Sequence, residues 1–253
     1  MIGSPPAAAR LPAVFDLLAA RAPGLWRGMN HARLALEVPL LRGGAVYRGS
    51  PTSGAVALTF DDGPDPRWTP RILDALAAAD ARATFFFLAT AMAAHPALTR
   101  EVAARHEIGT HLHDHSLAPM RSPAAFAAEL ARVLPIHDQL LGQRPTRLRF
   151  PHGHAGRIGP AVLRQHGLTA YHWTFSSEDS RASDGAVVAA RVRLRLAPGA
   201  IVLLHDGRGP GSTQGPGHRE ATIAALPAIL AAIHERGLAA VTLAELAARS
   251  QPR

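Results

Sequence analysis

The chain has no cysteine. That absence excludes a disulfide framework, a thiolate zinc finger and a cysteine nucleophile, since each needs a thiol. Lysine is missing as well, so all 27 basic residues are arginine, whose guanidinium stays charged and never acts as an amine nucleophile. Schiff-base chemistry and the lysine of a phosphate loop are excluded with it. No apolar run approaches the roughly 18 residues of a membrane span, and no basic region followed by an unbroken apolar stretch opens the chain. A cytoplasmic protein is the expectation, with export or membrane association as the alternative. Only 19 acidic residues oppose the arginines, giving a net charge of +8. That excess suits an anionic partner, although an arginine-rich composition accounts for it equally well. No run of five or more basic residues occurs and the aromatics fall mostly in apolar segments, which argues against nucleic acid.

What is present is a chain of 253 residues that is 47% hydrophobic, enough to bury a full core and too apolar for intrinsic disorder. Residues 11–42 carry apolar positions at helical spacing, interrupted by Arg21, Arg27, Arg33 and Arg42. The pattern predicts a helical N-terminal extension over 1–50 docked on a main domain of 51–253. Peripheral contact with an anionic membrane surface is the second reading of that segment.

From residue 55 short apolar runs alternate with alanine-rich segments of helical period. Strands are predicted at 55–60, 83–88, 107–111, 147–151, 168–174, 200–205 and 239–243. Helices are predicted at 68–80, 96–105, 123–141, 158–166, 185–196, 219–236 and 243–249, several opened by Pro or Asp. Alternation of this kind means parallel β/α units. About seven of them, with no GxGxxG after the first strand, suit a distorted (β/α) barrel better than an open doubly wound sheet.

The polar residues cluster at the ends of these strands. Asp61 and Asp62 follow the first, His111 to His115 the third, Arg149 to Gly153 the fourth, Asp179 trails the fifth and His205 closes the sixth. Those ends open on one face of a barrel, so a shared site follows. His111-Leu112-His113-Asp114-His115 puts three imidazoles within five residues, and at helical spacing His111 and His115 project from one side. With a carboxylate from Asp61 or Asp62 they offer two nitrogens and one oxygen to a divalent cation, leaving positions open for water and substrate. Leu112 occupies the place where a zincin helix needs glutamate. A binuclear amidohydrolase lacks the lysine it would modify, and an iron facial triad leaves the second aspartate, the arginine and the distal histidine unexplained.

Those three residues make sense together in amide hydrolysis, which needs a base, a stabilised oxyanion and an acid for the amine. Adjacent Asp61 and Asp62 are expected to point in different directions, one to the ion and one to the attacking water. Arg149 is placed to pair with the base. His205 is placed to protonate the leaving amine, with Asp179 as the carboxylate that keeps it charged. The Gly- and Pro-rich stretch 206–218 reads as a loop or lid beside His205, because its prolines lack N–H groups and no phosphate-loop fingerprint matches.

From about Ala55 to Leu246 the chain resembles the polysaccharide deacetylase family, also called NodB homology or carbohydrate esterase family 4. The resemblance rests on Thr59-Phe60-Asp61-Asp62-Gly63-Pro64, on Gly109-Thr110-His111 with His115, on Arg149-Phe150-Pro151-His152-Gly153 and on Leu203-Leu204-His205-Asp206. It implies a distorted (β/α) barrel and hydrolytic removal of an N-acetyl or other acyl group from an amino sugar in a glycan or glycan precursor. It also implies an ion held by Asp62, His111 and His115, zinc in most members, with cobalt, manganese and nickel as other candidates. Asp61 is then the base, His205 the acid, Arg149 and Asp179 their partners, and the main-chain N–H of His152, after Pro151, the oxyanion donor. Leu203 walls the acyl pocket. The family's Asp-x-x-Asp-Trp segment is Ser176-Ser177-Glu178-Asp179-Ser180 here, so the tryptophan is lost, and Trp173 or Phe175 is expected to replace it. Other readings are an amidase or deformylase acting on a small or lipid-linked substrate, and a glycan-binding barrel without activity, against which the intact polar set argues.

Overall fold

The computed structural model describes residues 45–209 and 219–249, which fall in one compact unit. Among the described residues the strands are β1 (Ala45–Val46), β2 (Ala55–Asp61), β3 (Thr84–Phe87), β4 (Glu107–Thr110), β5 (Arg147–Leu148), β6 (Thr169–Tyr171), β7 (Phe175–Ser176), β8 (Ile201–His205) and β9 (Ala239–Ala240). The helices are α1 (Thr69–Ala78), α2 (Ala89–Ala94), α3 (Pro96–Ala103), α4 (Pro123–Leu141), α5 (Pro160–Gln165), α6 (Gly185–Arg195), α7 (Glu220–Glu235) and α8 (Leu243–Ala248). All strand ladders are parallel, in the order β1-β6-β5-β4-β3-β2-β8-β7, with β9 on β2. Strands β2 to β8 thus follow one another around a distorted (β/α) barrel whose ladder breaks only between β6 and β7. At that break β1 pairs with β6, and the Thr174 hydroxyl donates to the carbonyl of Tyr47 at 2.7 Å.

Alternation along β2 explains the two cores. Ala55 and Ala57 join Phe86, Tyr171 and Ile201 inside the barrel. Val56, Leu58 and Phe60 face outward onto Ile72, Leu76 and Ile229 of the surrounding helices. Because side chains alternate with period two, Thr59 and Asp61 continue the inner row, so the polar end of the strand is aimed into the barrel mouth. Helix α4 begins where the Ser122 side chain accepts from the Ala125 N–H and ends at Gly142, whose φ of 67° is left-handed, as cap chemistry requires.

The expected strands and helices are all present, most within a residue or two of their predicted ends. The exceptions are the fourth strand, which stops at Leu148, the fifth, expected at 168–174, which ends at Tyr171 before the chain turns into β7, and the seventh, expected at 239–243, which stops at Ala240. The short strands β1 and β7 and the helix α2 are additions. Of the helical extension expected over residues 1–50, residues 1–44 lie outside the described residues, as do 210–218 of the glycine-rich loop, while 45–50 are not helical and begin with β1, paired to β6. Among the described residues no helix is long and apolar enough to cross a membrane.

One packing detail has a pH signature. His137 on α4 is fully buried with neither ring nitrogen hydrogen-bonded, and burial pushes its pKa from 6.5 down to about 4. Acidification between those values protonates the unfolded chain first and so removes stability. Urea unfolding of His137→Leu should therefore gain on the unmodified protein by about 2 kcal/mol more at pH 5 than at pH 8. An equal difference at both pH values contradicts this.

Candidate metal centre and active site

Strand β2 delivers two carboxylates to the barrel mouth. Asp61 sits in register with His205 of β8 and Phe86 of β3. Asp62, one residue on, has φ of 80°, a left-handed conformation that breaks strand alternation. The two side chains therefore converge, contrary to the expectation that they diverge: Nε2 of His111 lies 3.9 Å from Oδ2 of Asp61 and 3.6 Å from Oδ1 of Asp62. Gly63 must follow, because a Cβ there would stand 2.1 Å from Oδ2 of Asp206. The Asp206 carboxylate instead accepts the Gly63 N–H at 3.1 Å and the Thr69 hydroxyl at 2.7 Å.

His111 directly follows β4, and its Nδ1 lies 2.7 Å from the carbonyl oxygen of Arg149. A carbonyl only accepts, so Nδ1 carries the proton and Nε2 presents a lone pair toward Asp62. Residues 111–115 form a turn with left-handed Leu112 (φ 68°) and His115 (φ 65°). Helical spacing is therefore not what brings the two imidazoles together; the turn does. Nε2 of His115 is 3.5 Å from Oδ1 of Asp62. The middle imidazole leaves the site, with Nδ1 of His113 2.8 Å from a guanidinium nitrogen of Arg132.

Asp62, His111 and His115 each offer one ligand atom, and these atoms lie within 4.8 Å of one another. Oδ1 of Asp62 is buried with no hydrogen-bond donor. An orphaned carboxylate oxygen facing two imidazole nitrogens is costly in a protein alone and is satisfied by a cation. Burial pushes the Asp62 carboxyl up, but the surrounding His115, His205 and His111 imidazoles and Arg219 pull it further down, so it is ionised. Burial takes His115 down to about 4, so its imidazole is neutral at neutral pH. The donor set fits a divalent cation.

The flanking groups are held by buried partners. The fully buried guanidinium of Arg149 donates to Oδ1 of Asp61 and to the Thr59 hydroxyl, both at 2.8 Å, and to the carbonyls of His172 (2.8 Å) and Tyr171 (3.3 Å). Nδ1 of His205 lies 2.8 Å from Oδ1 of Asp179, whose other oxygen accepts the His205 N–H at 2.9 Å and the Thr222 hydroxyl at 2.8 Å. Burial raises the Asp179 carboxyl, but His205, Arg219 and Thr222 hold it well below the usual carboxylate range. Burial lowers His205, yet Asp179 more than reverses this and raises it.

The remaining expected residues surround this centre. Pro151 is buried in a turn whose second residue, His152, is left-handed at φ 55°. The exposed His152 ring meets the His115 ring edge-on at 4.3 Å. Leu203 is paired with Thr59 and Ser176 and shares the inward face of β8 with Ile201 and His205. Trp173 packs against the inner apolar cluster, with the Arg149 guanidinium 5.7 Å from its ring. Phe175 faces outward into the helix-covered core, so it cannot replace the missing tryptophan. Gly209 brings the described start of the glycine-rich loop over His115, a Cβ there falling 3.3 Å from its ring.

Residue chemistry alone missed four participants. Thr59 is a motif position without an assigned role and Thr222 reads as an ordinary helix residue, and only the partners they meet reveal what they do. Asp206, pushed up to about 7 chiefly by burial, was visible as a motif position without a role. Arg219, 2% exposed, stands just before α7 and carries no sequence mark that separates it from 26 other arginines.

Known proteins resemble this chain in sequence and fold. Residues 48–171 match the family model described as polysaccharide deacetylase. The chain is 35% identical over 188 residues to a chitooligosaccharide deacetylase of Bradyrhizobium sp. (strain ANU 289), covering 72% of this chain and 86% of that one. It is 32% identical to the peptidoglycan-N-acetylglucosamine deacetylase PgdA of Listeria monocytogenes, covering 77% of this chain but 39% of that longer protein. The crystal structure of the Bc1960 peptidoglycan N-acetylglucosamine deacetylase superposes with a TM-score of 0.72 at 26% identity, covering 83% of this chain and 95% of that one. With these likenesses and the barrel behind them, the chain belongs to the polysaccharide deacetylase family.

Proposed function

We propose that this chain is a metal-dependent hydrolase that removes the N-acetyl group from an amino sugar in a glycan or glycan precursor. The observation that carries the reading is that Asp61 and His205, in register on the neighbouring strands β2 and β8 and each held by its own buried partner, accompany the Asp62, His111 and His115 triangle. The similar chitooligosaccharide and peptidoglycan N-acetylglucosamine deacetylases support the substrate class.

Asp62, His111 and His115 hold the ion. Two imidazole nitrogens with one carboxylate oxygen suit zinc, with cobalt, manganese and nickel as the alternatives that metal analysis separates. A divalent ion at such a site supplies Lewis acidity, lowering the pKa of a water and polarising the amide carbonyl. Asp61 takes the proton of the attacking water on Oδ2, since Oδ1 is engaged by Arg149. The main-chain N–H of His152 faces the developing oxyanion. His205 gives its proton from Nε2 to the amine as the C–N bond breaks, since Nδ1 is engaged by Asp179. Acetate and the free amino sugar leave. Leu203 and Trp173 bound the acyl group.

Acetate release from N-acetylchitooligosaccharides should appear with zinc present, vanish on chelation and return when zinc is restored; turnover indifferent to chelation contradicts the reading. Asp61→Asn should keep the ion while turnover falls about 10²- to 10⁴-fold, whereas His111→Ala should lose the ion itself. Metal content by mass spectrometry separates these outcomes, and loss of metal from Asp61→Asn would mean that the two aspartates have exchanged roles. Asp179 holds His205 protonated to higher pH, so Asp179→Asn should let His205 lose its proton earlier as pH rises. The alkaline limb of the kcat/KM profile should then move to lower pH; an unmoved limb excludes His205 as the acid.

A further inference from the structure

The two oxygens of Asp62 have different surroundings. Oδ1 faces His111 and His115 at 3.6 and 3.5 Å, while Oδ2 lies 3.5 Å from a terminal nitrogen of Arg219. Arg219 is almost wholly buried, and its Nε donates to the carbonyl of Gly207 at 2.7 Å. Gly207 in turn packs so closely on the main chain of Asp62 that a Cβ would fall 2.2 Å from the Asp62 carbonyl oxygen. The position of the guanidinium relative to the carboxylate is therefore set by backbone contacts rather than by a flexible side chain. The other terminal nitrogen of Arg219 is buried without a hydrogen-bond partner, and an unmatched buried donor is unfavourable. Nor does its place at the N-terminal end of α7 favour a cation, since that end of a helix carries partial positive charge. Hydrogen-bond satisfaction does not account for an arginine here; the buried carboxylates around it do, with Asp62 at 3.5 Å and with Asp179 and Asp206 also within reach of its charge.

We propose that Arg219 is a positioning residue that occupies Oδ2 of Asp62 and so restricts this carboxylate to a single donor oxygen toward the bound cation. A carboxylate free to chelate with both oxygens would take a coordination position that a hydrolytic site must leave for water or for the substrate carbonyl. The inference rests on the metal-site reading above and adds the reason that the site stays open.

The test uses the full chain carrying Arg219→Met, which keeps length and loses charge, and Arg219→Lys, which keeps charge. Zinc affinity is measured by competition with a chromogenic chelator, and coordination number by the visible absorption of the cobalt-substituted protein. Removing a cation beside the ion should tighten zinc binding about 3- to 10-fold in Arg219→Met. It should also weaken the cobalt absorption toward that of a higher coordination number and lower kcat with KM little changed, while Arg219→Lys restores all three. A residue that merely anchors the loop predicts the opposite sign, with weaker zinc binding in Arg219→Met, and that result overturns the proposal. An unchanged cobalt spectrum, or Arg219→Lys behaving as Arg219→Met, overturns it too. Arg219→Gln replaces the methionine variant if thermal melting shows that one unfolded. Failure of the unmodified protein to take up zinc or cobalt would instead remove the metal-site reading on which the proposal stands.

Discussion

The Arg149 guanidinium sits inside the barrel with no exposure to solvent, bonded to Asp61, Thr59 and the carbonyls of Tyr171 and His172. Its own carbonyl takes the Nδ1 proton of His111. One residue thus fixes a flanking carboxylate through its side chain and the tautomer of an imidazole through its main chain. A buried arginine is tolerable only when its charge is paired and its donors are engaged, and β2 together with the end of β6 provides both. The face of the Phe86 ring, 4.3 Å from the guanidinium carbon, closes the enclosure from below. The rest of the site is assembled around this point.

Division of labour between two carboxylates follows from the surroundings rather than from their identity. Asp61 and Asp62 are neighbours in sequence and both buried, yet one oxygen of Asp61 is engaged by Arg149 while Oδ1 of Asp62 has no donor at all. The same separation recurs across the site, where Asp179 is saturated by His205 and Thr222. Asp61 through Oδ1 and His205 through Nδ1 are each anchored on one side by a buried partner, which is how a rigid constellation is kept within reach of a reacting bond.

Much of this was legible in the chain. The apolar run Ala55-Val56-Ala57-Leu58-Thr59-Phe60 gave the strand, though not which of its residues point inward, and the alternation of such runs with alanine-rich segments gave the barrel. Strand-end clustering brought Asp61, Asp62, His111, Arg149 and His205 to one face before any coordinates. What escaped was whatever depends on backbone conformation or long-range burial. Left-handed Asp62 and His115 are not glycine, so no residue type announced that the aspartates converge or that 111–115 is a turn. Strands β1 and β7 have two residues each, too few for periodicity to register. Outward-facing Phe175 and inward-facing Trp173 are separated only by the break between β6 and β7, which a continuous 168–174 strand conceals.

Everything in the account turns on a cation shared by three side chains. Anomalous diffraction from crystals soaked in zinc, collected on both sides of the zinc absorption edge, tests it most directly. The account predicts one strong peak about 2.0–2.2 Å from Oδ1 of Asp62 and from Nε2 of His111 and His115. No peak there, or a peak held instead by the half-buried imidazole of His113 or the exposed one of His152, would contradict it.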